Sequence, residues 1–265
     1  MNLELDGRHV VVTGGSKGIG LACAQAFLAE GASVTIVSRR REHLDAALRP
    51  LQQQAPSPDR VRAVAIDLSD TDAGTAMADQ AQAGLGPIDV LVNSAGAARR
   101  TVPDELTPQA WHDAMTAKYF TYIHAIDAVI KRMAARGRGV VVNVIGAGGK
   151  MASPIHLPGG SANAALMLAT AGLANAYGER GVRVVGVNPG STLTERLKHG
   201  MQTDAQLHGI SYDEALQRAT ARTALKRIAT PQEIADVVVF LASARASYVT
   251  GVNLTMDGGS TPTVL

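Results

Sequence analysis

Residues 9–20 read His9-Val10-Val11-Val12-Thr13-Gly14-Gly15-Ser16-Lys17-Gly18-Ile19-Gly20, and an Ala-rich stretch follows at once. A β-branched run of strand length passes into a glycine-spaced turn that opens a helix. Glycines in such a turn permit positive φ and close backbone approach. The helix start beyond them presents free N–H groups and the positive end of the peptide dipole to a pyrophosphate. A tight strand-to-helix turn explains glycines on packing grounds alone. The strand before and the helix after raise the turn to a dinucleotide-binding candidate.

The same alternation extends outward along the chain. Val/Ile-rich runs recur at His9–Thr13, Ser33–Val37, Val61–Ile66, Asp89–Asn93, Val140–Ile145, Arg183–Asn188 and Val252–Met256. Helix candidates lie between them at 18–30, 41–54, 70–84, 108–136, 158–179 and 231–243. Nearly continuous apolar strands separated by helix-length segments imply a sheet buried on both faces. The expected fold is α/β, a Rossmann-like doubly wound sheet of seven mainly parallel strands flanked by helices. A single domain over 1–265 is expected, with ligands at the carboxyl ends of the strands. Residues 200–223 lack strand character and are expected to form one or two helices that act as a lid.

Composition narrows the function classes. Of 265 residues, 25 are Lys or Arg and 23 Asp or Glu, a net charge of +2 with no long block of one sign, so a nucleic-acid or membrane-surface partner is not expected. Aromatic residues are only 3%, too few for a base- or sugar-stacking platform. Cys23 is the single cysteine, which excludes an intrachain disulfide and a cysteine-built zinc site. No metal is expected. The opening residues MNLELDGR carry no apolar stretch of signal length, and no later run approaches about 20 apolar residues, so a soluble, cytoplasmic protein is expected.

With the turn at 13–20 in the form TGxxxGxG, the chain resembles the short-chain dehydrogenase/reductase family over essentially its whole length. Asn93-Ser94-Ala95-Gly96 resembles the family's NNAG element, and Asp67, with Leu68 beside it, its adenine-side aspartate. Pro189-Gly190 through Thr194 resembles the PGxxxT element, and Met256-Asp257-Gly258-Gly259 the DGG signature near the end. The resemblance implies that Gly14, Ser16, Lys17, Gly18, Ile19, Gly20, Asp67, Leu68, Asn93, Ala95, Gly96, Pro189, Gly190, Thr192 and Thr194 contact a nicotinamide cofactor. It also implies a homotetramer or homodimer acting on a small molecule. At the end of the second strand, where an acid would hold a ribose diol, the chain has Ser38, Arg39 and Arg40. Guanidinium groups suit a 2′-phosphate, and Lys17 adds charge, so NADP(H) is the expected cofactor.

The family's hydride chemistry uses a serine, a tyrosine thirteen residues on, a lysine four beyond that, and an asparagine on an earlier helix. An ungapped match of residues 140–166 puts Gly146 at the serine, Gly159 at the tyrosine and Asn163 at the lysine; the count from Trp111 puts Lys118 at the asparagine. None of Tyr119, Tyr122, Tyr177, Tyr212 and Tyr248 is followed by a lysine four residues later. Lysine and asparagine have exchanged positions, so Lys118 is expected to restore an ammonium from the opposite helix, with Asn163 facing it. Of the polar residues near the vacant tyrosine position, Lys150, Ser153, His156 and Ser161, the imidazole has the pKa best suited to proton donation. Lys118, His156 and Asn163 are therefore the expected catalytic set of an NADP(H)-dependent oxidoreductase with a rebuilt site for a small carbonyl or alcohol. The alternative is a catalytically inactive NADP(H)-binding homologue.

Overall fold

The computed structural model describes residues 1–96 and 100–262. Strands β1 (His9–Thr13), β2 (Ser33–Ser38), β3 (Val61–Ala65), β4 (Val90–Asn93), β5 (Gly139–Val144), β6 (Val182–Pro189) and β7 (Asn253–Met256) form one sheet, in the order β3-β2-β1-β4-β5-β6-β7. Every pairing in it is parallel. Consecutive side chains on each strand enter opposite layers. Val10, Val12, Val90, Val92, Val142, Val144, Val185 and Val187 pack into one core, and Val11, Leu91, Val141 and Val184 into the other. Double-sided burial is why the strands read as unbroken apolar runs.

The first layer is covered by α1 (Gly18–Ala29), α2 (Arg41–Gln54) and α9 (Pro231–Ala242), the second by α3 (Ala73–Leu85), α5 (Thr121–Ala135) and α6 (Leu157–Gly178). Cys23 lies in the first core, and burial pushes its thiol up to about 12, so it is inert there. The expected helix at 108–136 is interrupted. Between α4 (Pro108–Ala114) and α5, residues Met115–Phe120 widen into a π-helical turn that contains Lys118. Residues 195–221 form two helices, α7 (Glu195–His208) and α8 (Tyr212–Ala221), which bury Leu197, Met201, Ala205 and Ala215 in a small cluster of their own with Ile228. Among the described residues no helix is long and apolar enough to cross a membrane.

Strand order reverses between β1 and β4, which opens the crevice at their carboxyl ends. A polar ladder fixes that edge. Thr13 Oγ1 donates to Asn93 Oδ1 (3.3 Å), Asn93 Nδ2 to Asn143 Oδ1 (3.0 Å) and Asn143 Nδ2 to Thr170 Oγ1 (3.0 Å), all buried.

Helices α3 and α5 meet at Gly74, where a Cβ would collide with the backbone oxygen of His124. Gly74→Ala should therefore cost about 1–3 kcal/mol in urea unfolding, although alanine is the better helix former. A variant as stable as the wild type would show that the two helices have room to separate.

Candidate functional site

The glycine turn is shaped by contacts that leave no room for side chains. Gly14 has φ +68°, and a Cβ there would stand 2.8 Å from Ala95 N; a Cβ at Gly20 would collide with Gly14 O. Gly18 has φ +54° and faces the Thr194 methyl group, 3.3 Å from where its Cβ would be. Ser16 is buried at the turn, Ile19 half-buried beyond it. The turn, the loop after β4 and the loop after β6 thus converge on one crevice.

Around the end of β2 the side chains are cationic. Arg39 reaches Asp67 (3.7 Å) and Arg40 reaches Glu42 (3.9 Å), both as exposed pairs worth little in water. Lys17 Nζ lies 3.0 Å from His43 Nε2 on α2, which brings the turn's lysine to the same end of that helix. Although partial burial works against it, hydrogen bonds from the Ser69 backbone and hydroxyl and the charge of Arg39 hold the Asp67 carboxyl below its ordinary range. Leu68 is buried, and its carbonyl accepts from His124 Nδ1 (2.8 Å).

Asn93 is fully buried in the polar ladder, so its amide is committed to Thr13 and Asn143 rather than turned to the crevice. The backbone N–H groups of Ser94 and Ala95 donate to Thr13 Oγ1. On the other wall Pro189 ends β6, and Gly190 N donates to Met256 O (2.9 Å). Thr192 is buried and donates to Gly190 O, while Thr194 Oγ1 caps α7 by accepting from Leu197 N (3.3 Å).

Lys118 is 4% exposed. Its Nζ donates to Tyr122 Oη (2.7 Å) and to Val144 O (3.1 Å), and lies 4.4 Å from the Tyr122 ring centre. Burial, and then the charge of Arg196, hold its pKa well below 10.5. Tyr122 Oη donates to the same Val144 carbonyl (2.5 Å), and burial pushes its pKa up. Glycine at position 96 admits the lysine stem, since a Cβ there would stand 2.7 Å from Lys118 Cδ.

Asn163 is buried on α6 and faces Gly146, with its Nδ2 3.1 Å from where a Cβ at 146 would be. His156 precedes α6 and folds its imidazole over Gly159, so a Cβ at 159 would collide with Cε1 and stand 2.7 Å from Nε2. Among the described residues the ring's Nδ1 is buried without a partner. Burial, then Arg196, Arg100 and Lys118, lower the His156 pKa to about 4. That corrects the expectation of an imidazole titrating near neutrality: the ring is neutral at pH 7. Lys150 bonds Asn253 O and Ser161 bonds Leu157 O, which turns both to other work.

Sequence reasoning missed Tyr122 and Arg196. The signal for the first was Lys118-x-x-x-Tyr122, an i,i+4 pair that meets on one helix face. For the second it was a cation two residues after Thr194, at the start of α7; its Nη1 donates to Gly96 O (3.1 Å) and so crosses between the two loops.

A family model described as enoyl-(acyl carrier protein) reductase matches residues 14–261. The galactitol 2-dehydrogenase (L-tagatose-forming) of Cereibacter sphaeroides is 35% identical over 260 residues, covering 97% of this chain and 96% of that protein. The L-sorbose reductase of Gluconobacter frateurii, solved with NADPH and L-sorbose, superposes with a TM-score of 0.91 at 29% identity, over 100% of both chains. A gluconate 5-dehydrogenase of Burkholderia cenocepacia, solved with NADP and tartrate, gives 0.88 at 29% identity over 99% and 98% of the two chains. With a dinucleotide crevice at the strand ends and matches that run its full length, the chain belongs to the short-chain dehydrogenase/reductase family.

Proposed function

We propose that the protein is an NADP(H)-dependent oxidoreductase for a small carbonyl or alcohol, with His156 and Lys118 in the place of the family's tyrosine and lysine. The observation that carries this reading is the His156 imidazole seated over Gly159, where the tyrosine of the family pattern would begin, with the buried Lys118 amine acting on it. The relatives that act on galactitol and L-sorbose support a small polyol or ketose as the substrate class.

The residues fit the cofactor. The glycine turn gives the pyrophosphate backbone N–H groups with no Cβ in the way, and Arg39, Arg40 and Lys17 offer charge for a 2′-phosphate. Ser38 closes β2 beside them. Thr192 and Thr194 would flank the nicotinamide end. When bound, the cofactor supplies or accepts the hydride.

The chain's own work is then to handle charge on the substrate oxygen. A neutral imidazole polarises a carbonyl by N–H donation, as His156 would do at pH 7. Lys118, whose amine burial makes a readier proton donor than a lysine in water, gives a proton to the oxygen in reduction and takes it back in oxidation. Tyr122 and the Val144 carbonyl hold the amine in place, and Asn163 fills the wall between Gly146 and His156.

Three outcomes follow. Fluorescence titration should give NADPH at least about tenfold tighter than NADH, and Arg39→Asp should remove most of that preference; equal affinities in the wild type would sink the assignment. His156→Gln should lower kcat by roughly 10²-fold with NADPH affinity retained, and full turnover would refute its role. Lys118 in the folded protein releases its proton below 10.5 while the unfolded chain keeps it, so the unfolded state binds more protons in that window. Stability should accordingly rise with pH up to about 10.5, and a Lys118→Met variant should lack up to about 1.4 kcal/mol of that rise per pH unit in urea unfolding. Parallel curves for the two proteins would mean that the buried amine titrates normally.

A further inference from the structure

We infer that the reacting oxygen of the substrate sits between the Asn163 carboxamide and the His156 imidazole, and that both hold it by N–H donation. The inference rests on the oxidoreductase reading and adds Asn163 to the groups that touch the substrate. The two side chains come from one stretch of chain, His156 from the turn just before α6 and Asn163 from the second turn of that helix. They converge across the loop that follows β5. From the point that a Cβ at Gly148 would take, Asn163 Nδ2 lies 3.7 Å away and His156 Nε2 3.9 Å. Nδ2 is also 3.1 Å from the corresponding point at Gly146, and Nε2 2.7 Å from that at Gly159. Glycines at these positions therefore border the space that the two nitrogens share. The loop is pressed onto α6, since a Cβ at Gly149 would stand 2.7 Å from Ala164 N, so its distance from Asn163 is set by backbone packing.

Both side chains lack something in this setting. Asn163 is 5% exposed, and among the described residues its carboxamide makes no hydrogen bond. A buried amide without a partner costs free energy, which a group that accepts from it returns. His156 has the same deficit on its far side, where Nδ1 is buried with no acceptor among the described residues. The single proton of the neutral ring is then better kept on Nε2, at the shared space. Two donors turned to one space call for an acceptor between them, and a carbonyl oxygen is one. In reduction that oxygen gains negative charge as its carbon accepts hydride, until a proton reaches it. Fixed N–H groups aimed at the oxygen favour that charge without having to reorganise, and an amide N–H stays a donor at every working pH. Asn163 and His156 thus hold the oxygen, and the proton comes from elsewhere.

The test uses the full-length protein, with Asn163→Ala and Asn163→Leu beside the wild type; leucine keeps the bulk of the side chain without its donor. NADPH affinity is measured first in each. Turnover is then followed with NADPH and either hydroxyacetone or L-sorbose. The bound carbonyl is read by isotope-edited infrared spectroscopy on hydroxyacetone labelled with carbon-13 at its carbonyl, in the complex with NADP+, where no hydride is available. The expected result is a kcat lowered roughly 10²-fold in both variants, a smaller change in KM, and unchanged NADPH affinity. The carbonyl stretch should lie at lower wavenumber in the wild type than in either variant. An unchanged kcat, a loss confined to KM, or a stretch that is the same in all three proteins would overturn the role of Asn163 and leave the oxidoreductase reading intact. Parallel loss of NADPH affinity would assign Asn163 to the cofactor and overturn the inference as well. Failure of the wild type to bind NADPH, or to reduce either carbonyl, would overturn the reading beneath it and the inference with it.

Discussion

Everything at the working edge of the sheet hangs on a row of buried amides and hydroxyls. Parallel strands deliver their carboxyl ends, and the loops that follow, to one side of the molecule. Polar groups at that edge are cut off from water, and an unpaired one costs about 1–3 kcal/mol. Thr13, Asn93, Asn143 and Thr170 satisfy one another across β1, β4, β5 and α6, so the start of each loop is set relative to its neighbours. A glycine turn on β1 and the loop after β4 can then approach within a distance no Cβ would tolerate. That close approach holds because the ladder beneath the two loops fixes where each begins.

Lys118 shows how a buried cation can be held without a carboxylate. Two oxygens and an aromatic face receive its Nζ, which is enough to place the amine but not enough to keep its proton as firmly as water would. The π-helical turn at Met115–Phe120 belongs to the same arrangement, since one residue too many in a helical turn redirects the side chains that follow. Such turns concentrate where a helix must aim a group that ordinary spacing would leave on a surface.

Much of this was legible in the residues. Two-sided strands announce themselves as unbroken Val/Ile runs, and their observed bounds differ from the expected ones by a residue or so. The glycine turn, Arg39 and Arg40 carry their chemistry in short contiguous stretches. What could not be read is what depends on distance across the fold. Nothing local says that 108–136 breaks at Met115, that Tyr122 turns inward to meet Lys118, or that Arg196 reaches across to the Gly96 carbonyl. The neutrality of His156 is likewise a property of its neighbours: its position was readable, its environment was not.

The imidazole over Gly159 also bears on how such a chain can change through descent. While His156 stays where it is, no side chain can be accommodated at 159, because the first carbon of any such residue already meets the ring. A side chain can be placed there only if the histidine ring swings away, and a histidine replaced alone leaves a gap over a bare glycine. Positions 156 and 159 therefore constrain each other through packing, and a change at either is felt at the other.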